Sequence, residues 1–172
     1  MNLLIHAANL LAAVSPIREV VGLRRRLFIW GGIRIGARTR IAHKVCLYNR
    51  YIIIGSDTWI GAGCVLSSTI NGAIIVGDCV DFAPGCYVVS GTHEIGDHAR
   101  RAGAGTGRNI SIGSGCWIGA GAVILAGAEI GAGSIVAAGA VVMAGKYPED
   151  ALLAGVPASL KRMLDMPRDE AQ

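Results

Sequence analysis

Aliphatic residues recur every six positions along most of this chain. Set in sixes with the aliphatic residue leading, residues 35–52 read IGARTR, IAHKVC, LYNRYI, residues 54–71 read IGSDTW, IGAGCV, LSSTIN, and residues 76–93 read VGDCVD, FAPGCY, VVSGTH. Residues 112–129 read IGSGCW, IGAGAV, ILAGAE, and residues 130–147 read IGAGSI, VAAGAV, VMAGKY. The second position is usually Gly or Ala, and the fifth is usually small or β-branched. A period of six leaves no continuous apolar face on a helix, and the glycine content disfavours helix further. Three hexapeptides instead close one triangular coil whose sides are short strands. Positions one and five then point into the prism, and Gly or Ala near the corners permits the turns. Coils stacked at about 4.8 Å bury a column of Ile, Val and Leu, which needs a cap at each end.

The interruptions are as informative as the repeat. One residue is skipped after position 52, and four residues, GAII, are inserted after position 71. Residues 94–109, EIGDHARRAGAGTGRN, leave the prism as a polar, basic, Gly-rich loop, and the rhythm resumes at Ile112. A loop of that length in a compact repeat is usually functional. His93 stands at its root, in the sixth position of its hexapeptide. Residues 1–30 form an N-terminal helical segment. The apolar run Leu3–Val14, broken by His6 and Asn9, has no basic lead and is too short to span a bilayer, which suits a helix lying on the protein or on a membrane surface. Ser15 and Pro16 predict the start of a second helix, through about Leu27. The repeat occupies residues 31–147. Residues 148–172 form a C-terminal cap and tail, with a short capping helix over residues 158–164 and a frayed polar end.

Composition sharpens this picture in three ways. A chain of 172 residues suits one domain, and 25 glycines with 52% hydrophobic residues suit a repetitive fold rather than a linker. Nine of the 16 Lys and Arg residues lie between positions 18 and 50, most densely in GLRRRLF at residues 22–28. That run reads first as a solvated helix face and second as a peripheral contact with an anionic membrane or glycan. No basic stripe with interleaved aromatics follows it, so nucleic acid is not an expected partner. The five cysteines, Cys46, Cys64, Cys79, Cys86 and Cys116, show no CxxC spacing. They read as reduced thiols serving as small hydrophobes in a cytoplasmic protein, located in part at the inner face of the membrane, and no metal site is expected.

The string IVGDCVDFAPGCYVVSGTH, the break, ISIGSGCWIGAGAVILAGAEIGAGSIVAAGAVV and the later AGVPA closely resemble the hexapeptide-repeat O-acetyltransferases of the galactoside, maltose and capsule-polysaccharide group. The resemblance covers roughly residues 31–164. It implies an all-β fold, a left-handed parallel β-helix of hexapeptide repeats with short helical N- and C-terminal caps. The hand comes from the resemblance alone, since left-handed crossovers are otherwise disfavoured. It also implies acetyl-CoA as acyl donor, a sugar or polysaccharide-precursor hydroxyl as acceptor, and a homotrimer. His93 matches the family's catalytic base, and His98, within the loop, is the weaker candidate. Trp117 matches a tryptophan beside the acetyl-CoA and acceptor pocket. Gly119, Ala120 and Ala138 match the groove of the pantetheine arm. Arg162, with Lys161 close by, matches residues that reach the CoA phosphates, although Ser159 replaces the family's earlier basic residue. Ser68 stands where relatives often carry an Asn that assists catalysis, and Asn71 falls under His93 if the coils stack in register. Arg100, Arg101 and Arg108 would meet the acceptor or an adjacent chain.

The chemistry suits a lone histidine. A sugar hydroxyl is a poor nucleophile until an imidazole takes its proton as it attacks the thioester, and no covalent enzyme intermediate is required. The developing oxyanion needs donors, from corner amides or from Ser68 or Asn71. Three alternatives stand beside this reading. Serine acetyltransferases share the repeat, and GTGR at residues 105–108 faintly resembles their glycine-rich stretch, but they carry a larger helical N-terminal domain. Amino-sugar N-acetyltransferases are the second. A non-catalytic or metal-binding β-helix is the third, and a metal site would need His93, His98 and the distant His43 to converge.

Overall fold

The computed structural model describes residues 3–14 and 21–165, so the Ser15–Pro16 helix start and most of the polar tail lie outside the described residues. The hexapeptides form a three-sided parallel solenoid. The first coil is β1 (Arg34–Ile35), β2 (Arg40–Ile41) and β3 (Cys46–Tyr48); the second is β4 (Ile52–Ile54), β5 (Trp59–Ile60) and β6 (Val65–Ser67); the third is β7 (Ile74–Val76), β8 (Asp81–Phe82) and β9 (Tyr87–Val89). A hairpin of β10 (Gly91–Ile95) and β11 (Ala102–Gly107) then leaves the prism. The fourth coil is β12 (Ile110–Ile112), β13 (Trp117–Ile118) and β14 (Val123–Leu125); the fifth is β15 (Ala128–Ile130), β16 (Ile135–Val136) and β17 (Val141–Val142). Two sides of a sixth, β18 (Gly145–Tyr147) and β19 (Ala151–Gly155), precede a last strand, β20 (Ala158–Met163). The three faces are β1-β4-β7-β12-β15-β18, β2-β5-β8-β13-β16-β19-β20 and β3-β6-β9-β14-β17.

Every leading aliphatic residue of the hexapeptides is buried. They stack in register, as in the column Ile35, Ile54, Val76, Ile112 and Ile130. The fifth position points inward only where the following corner is regular. On the third side Ala128 of the fourth coil stays buried, but in the other four coils Ile70, Thr92 and Lys146 are exposed and Tyr51 is half-buried, and Ile52, Ile74 and Ile110 fill the prism in the first three. The GAII stretch is therefore only partly an insertion, because Ile74 belongs to the core and the extra residues make a turn pinned by Thr69 and Gly72. By the same logic the prism resumes at Ile110, two residues earlier than the rhythm suggests. Residues 94–109 also hold more order than a loop: His93 pairs with Gly105 and Ile95 with Ala102 across the hairpin.

Glycine has two separate duties here. On the first two faces the fourth position of every hexapeptide has a positive φ, from 67° to 72° at Gly63, Gly85, Gly115, Gly121, Gly133 and Gly139, and from 55° to 57° at Arg38, Lys44, Asp57 and Cys79. The second position has a different need. A Cβ at Gly119 would lie 2.5 Å from the backbone nitrogen of Ala138 in the next coil.

Both ends are capped, in ways the sequence only partly indicates. At the N-terminus α1 (Leu3–Val14) and α2 (Val21–Trp30) lie on the first coil, with α2 running past Leu27. The arginine run of α2 is not a solvated face: Arg24 is fully buried and Arg25 half-buried. The outward edges of the first coil have no strand above them, and polar side chains serve all three sides. Arg25 donates to Gly36 O at 2.7 Å and Ile35 O at 3.2 Å, and Arg24 donates to Ile41 O at 3.4 Å. Asn9 donates to Leu47 O at 2.8 Å and accepts from Leu47 N at 3.0 Å. Open sheet edges invite aggregation unless covered, and these contacts cover them. At the other end the expected helix over residues 158–164 is instead strand β20, antiparallel to β19. A helix of so few residues has little stability of its own, whereas the free edge of β19 offers backbone partners immediately.

Candidate active site

The hairpin corner forms an open groove of about 530 Å³ whose walls include Thr69, Asn71, Val89, His93 and Gly105. His93 is placed by its pairing with Gly105: a Cβ at Gly105 would lie 3.9 Å from His93 Nε2, so the ring lies over a residue with no side chain. Asn71 sits one coil earlier, on the turn closed by Thr69 and Gly72, and both it and His93 are exposed. Below them a buried node fixes turn and hairpin together. Ser90 Oγ donates to Gly72 O at 2.5 Å and accepts from Thr69 N at 3.2 Å, and Arg108 N donates to Ser90 O at 3.0 Å. Ser68 is fully buried, and its hydroxyl donates to Tyr48 O at 3.2 Å, away from the groove wall. His98 stands exposed near the hairpin tip.

Sequence reasoning missed Thr69 and Ser90. Thr69 Oγ1 is buried with no hydrogen-bond partner, against the place a side chain at Gly107 would occupy. Their signal was the failure of the inward pattern at Ile70 and Thr92, two of the places where the third side of a coil departs from it.

A second groove, of about 420 Å³ and almost wholly apolar, runs along the second face. Trp117, Gly119, Ala120 and Ala138 all line it, with Ile135 and Leu152. Trp117 pairs with Ile135, Ile135 with Leu152, and Leu152 with Arg162, so one outward row runs from the indole to the guanidinium. Three strand steps span about 14 Å. Lys161 lies beside this row, its Nζ donating to Ser159 Oγ at 3.0 Å. The structure therefore gathers the residues matched to the donor on one face and places His93 and Asn71 at a corner of another. Within one chain the two grooves share no lining residue.

Other reactive groups stand aside. Cys64, Cys86 and Cys116 are buried. Burial pushes the Cys116 thiol up, and the neighbouring Cys64 thiol, then burial, push Cys86 up. Among the described residues no group of three or more His, Cys, Asp or Glu side chains gathers as metal ligands would.

A family described as bacterial transferase hexapeptide (six repeats) matches residues 109–144. A hexapeptide-repeat-containing acetyltransferase from Vibrio cholerae shares 26% identity and a TM-score of 0.83, over 96% of this chain and 91% of that one. The chain carries the hexapeptide repeat, and its likeness to solved hexapeptide-repeat acetyltransferases marks it as an acyltransferase. Its prism has the left-handed β-helix fold of hexapeptide-repeat proteins. Two other solved hexapeptide-type folds are less similar in sequence. A galactoside acetyltransferase in complex with coenzyme A is 20% identical with a TM-score of 0.69, over 95% of this chain and 80% of its own. An N-acyltransferase from Bacillus cereus, in complex with dTDP and 3-hydroxybutyryl-CoA, is 20% identical with a TM-score of 0.69, over 79% and 74%.

Proposed function

We propose that this acyltransferase moves an acetyl group from acetyl-CoA to a hydroxyl of a sugar or polysaccharide precursor, with His93 as general base. The observation that carries the reading is the place of His93, exposed over Gly105 on the wall of an open groove at the root of the hairpin. His93 takes the proton of the acceptor hydroxyl as that oxygen attacks the thioester carbonyl. The tetrahedral oxyanion then collapses, the carbon–sulfur bond breaks, and the imidazolium returns its proton to the departing thiolate. Asn71 is the exposed side chain placed to donate to the oxyanion. Ser68, bonded to Tyr48 O, supports the turn that carries it.

The donor would lie in the second groove, its arm between Trp117, Gly119, Ala120 and Ala138 and its phosphates toward Arg162 and Lys161. Small residues leave the channel open, and the cationic end suits phosphate. Since the two grooves lie on different sides of one prism, the working unit is a cyclic homotrimer in which the His93 corner of one prism faces the Trp117 groove of the next.

The test is release of free CoA thiol from acetyl-CoA over a panel of glycosides, nucleotide sugars, amino sugars and L-serine. His93→Ala is expected to lower kcat by about 10²–10⁴-fold with little change in the KM for acetyl-CoA. His98→Ala keeps most activity. Near wild-type turnover by His93→Ala on a true acceptor would sink the assignment. The N-acyltransferase likeness favours one second reading, an amine acceptor on the same groove, and the amino-sugar arm of the panel decides between them.

A further inference from the structure

Helix α1 is apolar all round. It carries no charged residue, and its polar side chains are His6 and Asn9. A helix of that kind is ordinarily buried on both sides, but here one side is covered and the other is bare. Ile5, Ala8 and Ala12 face the molecule and are at most 2% exposed, whereas Leu3, Leu4, Leu10 and Leu11 are 79%, 46%, 67% and 47% exposed. Residues seven apart fall within about 20° on a helix, so Leu10 continues the line of Leu3 and Leu11 that of Leu4. The packed neighbour α2 adds Leu23 and Trp30, both exposed. Among the described residues, the charge around this apolar end is positive. Residues 21–56 hold no Asp or Glu, while Arg26, Arg34, Arg40, Lys44 and Arg50 are exposed.

We infer that this end of the molecule docks on an anionic lipid surface, with the leucine face of α1 and Trp30 entering the headgroup boundary and the surrounding cations meeting lipid phosphates. Arg24 and Arg25 take no part, because they hold the first coil's carbonyls. The contact is interfacial: α1 has 12 residues, and no described helix is long and apolar enough to cross a membrane. A second copy is the poorer occupant. Docked end to end, it would set Arg26 and the first-coil cations against their own copies, which opposes association. A phosphate-bearing surface complements them, and apolar residues with flanking cations are what such surfaces bind. The inference does not depend on the acyl-transfer reading, since its test uses no acyl donor or acceptor.

The experiment is sedimentation of the full chain with vesicles of phosphatidylcholine alone or mixed with phosphatidylglycerol. Binding is expected only to the mixed vesicles and is weakened by salt. Arg26→Ala should lose about fivefold in affinity, and the double variant Leu10→Ser with Leu11→Ser more than about tenfold. Circular dichroism confirms that each variant is folded. A blue shift of wild-type fluorescence on mixed vesicles, lost in Trp30→Phe, gives a reading that does not rely on the leucine variant. No binding, equal binding to both vesicles, or undiminished binding by the folded leucine variant overturns the inference. So does a fall in solution mass for that variant without lipid, which would give the face to a second copy.

Discussion

At the scale of single residues, the corners make the clearest demands. Cys79 holds a φ of 56° where Gly85 and its equivalents hold about 70°, and a left-handed conformation costs a non-glycine residue about 1–2 kcal/mol. Cys79→Gly should therefore stabilise the fold by about 0.5–1 kcal/mol, after the added flexibility of the unfolded chain is deducted. Gly85→Ala should cost about 0.5–1 kcal/mol by the same balance, although nothing lies within 4 Å of its Cβ. Urea denaturation of the two variants measures both, and equal midpoints would show that the corners carry no strain. Thr69 makes the opposite demand. Its hydroxyl is buried without a partner, so Thr69→Val should raise stability by about 1 kcal/mol. A loss of turnover with unchanged stability would instead show that the acceptor uses that hydroxyl. The leading aliphatics were legible from sequence because their period has a single physical meaning. The fourth-position rule was not, because Arg38, Lys44, Asp57 and Cys79 break the run of glycines that would have displayed it.

At the scale of elements, the caps and the hairpin show where local pattern and tertiary context part. Residues 158–163, ASLKRM, contain mostly good helix formers, and a reading by propensity gives a helix. The unpaired edge of β19 overrides that preference, since a backbone ladder is available at once and a single helical turn gains little. The hairpin escaped detection for a related reason: β11 reads AGAGTG, with no apolar face to alternate, and its order comes from pairing and from the Ser90 node beneath it. The arginine run of α2 looked like solvated charge because sequence does not show that the first coil ends in outward carbonyls. Asn9 is the most testable of the cap residues, since it both donates to and accepts from Leu47. Asn9→Ala should cost about 1–3 kcal/mol by leaving those backbone groups without that partner, read as a lower denaturation midpoint. An unchanged midpoint would mean that water serves the edge as well as the amide does.

At the scale of the whole molecule, the arrangement of the two grooves makes its own prediction. The His93 groove and the Trp117 groove lie on different sides of one prism and share no residue. The sequence named residues on both but could not show that one chain keeps them apart, because a repeat gives position along the coil and not which prism faces which. A trimer should therefore show a mass three times the 17.8 kDa of the chain by light scattering. It should also show complementation. Subunits carrying His93→Ala retain an intact Trp117 groove, and subunits carrying Trp117→Ala retain an intact His93 corner. In any mixed cyclic trimer the order of subunits places one intact corner against one intact groove, once per ring. Random reassembly of equal amounts makes about three quarters of the rings mixed, so about a quarter of wild-type activity should return. Each variant alone stays at its own low rate. If the site were built within a single chain, every subunit in the mixture would carry one lesion and no activity would return. Mixing without dissociation provides the control, because rings that never exchange subunits keep the low rate of their parents.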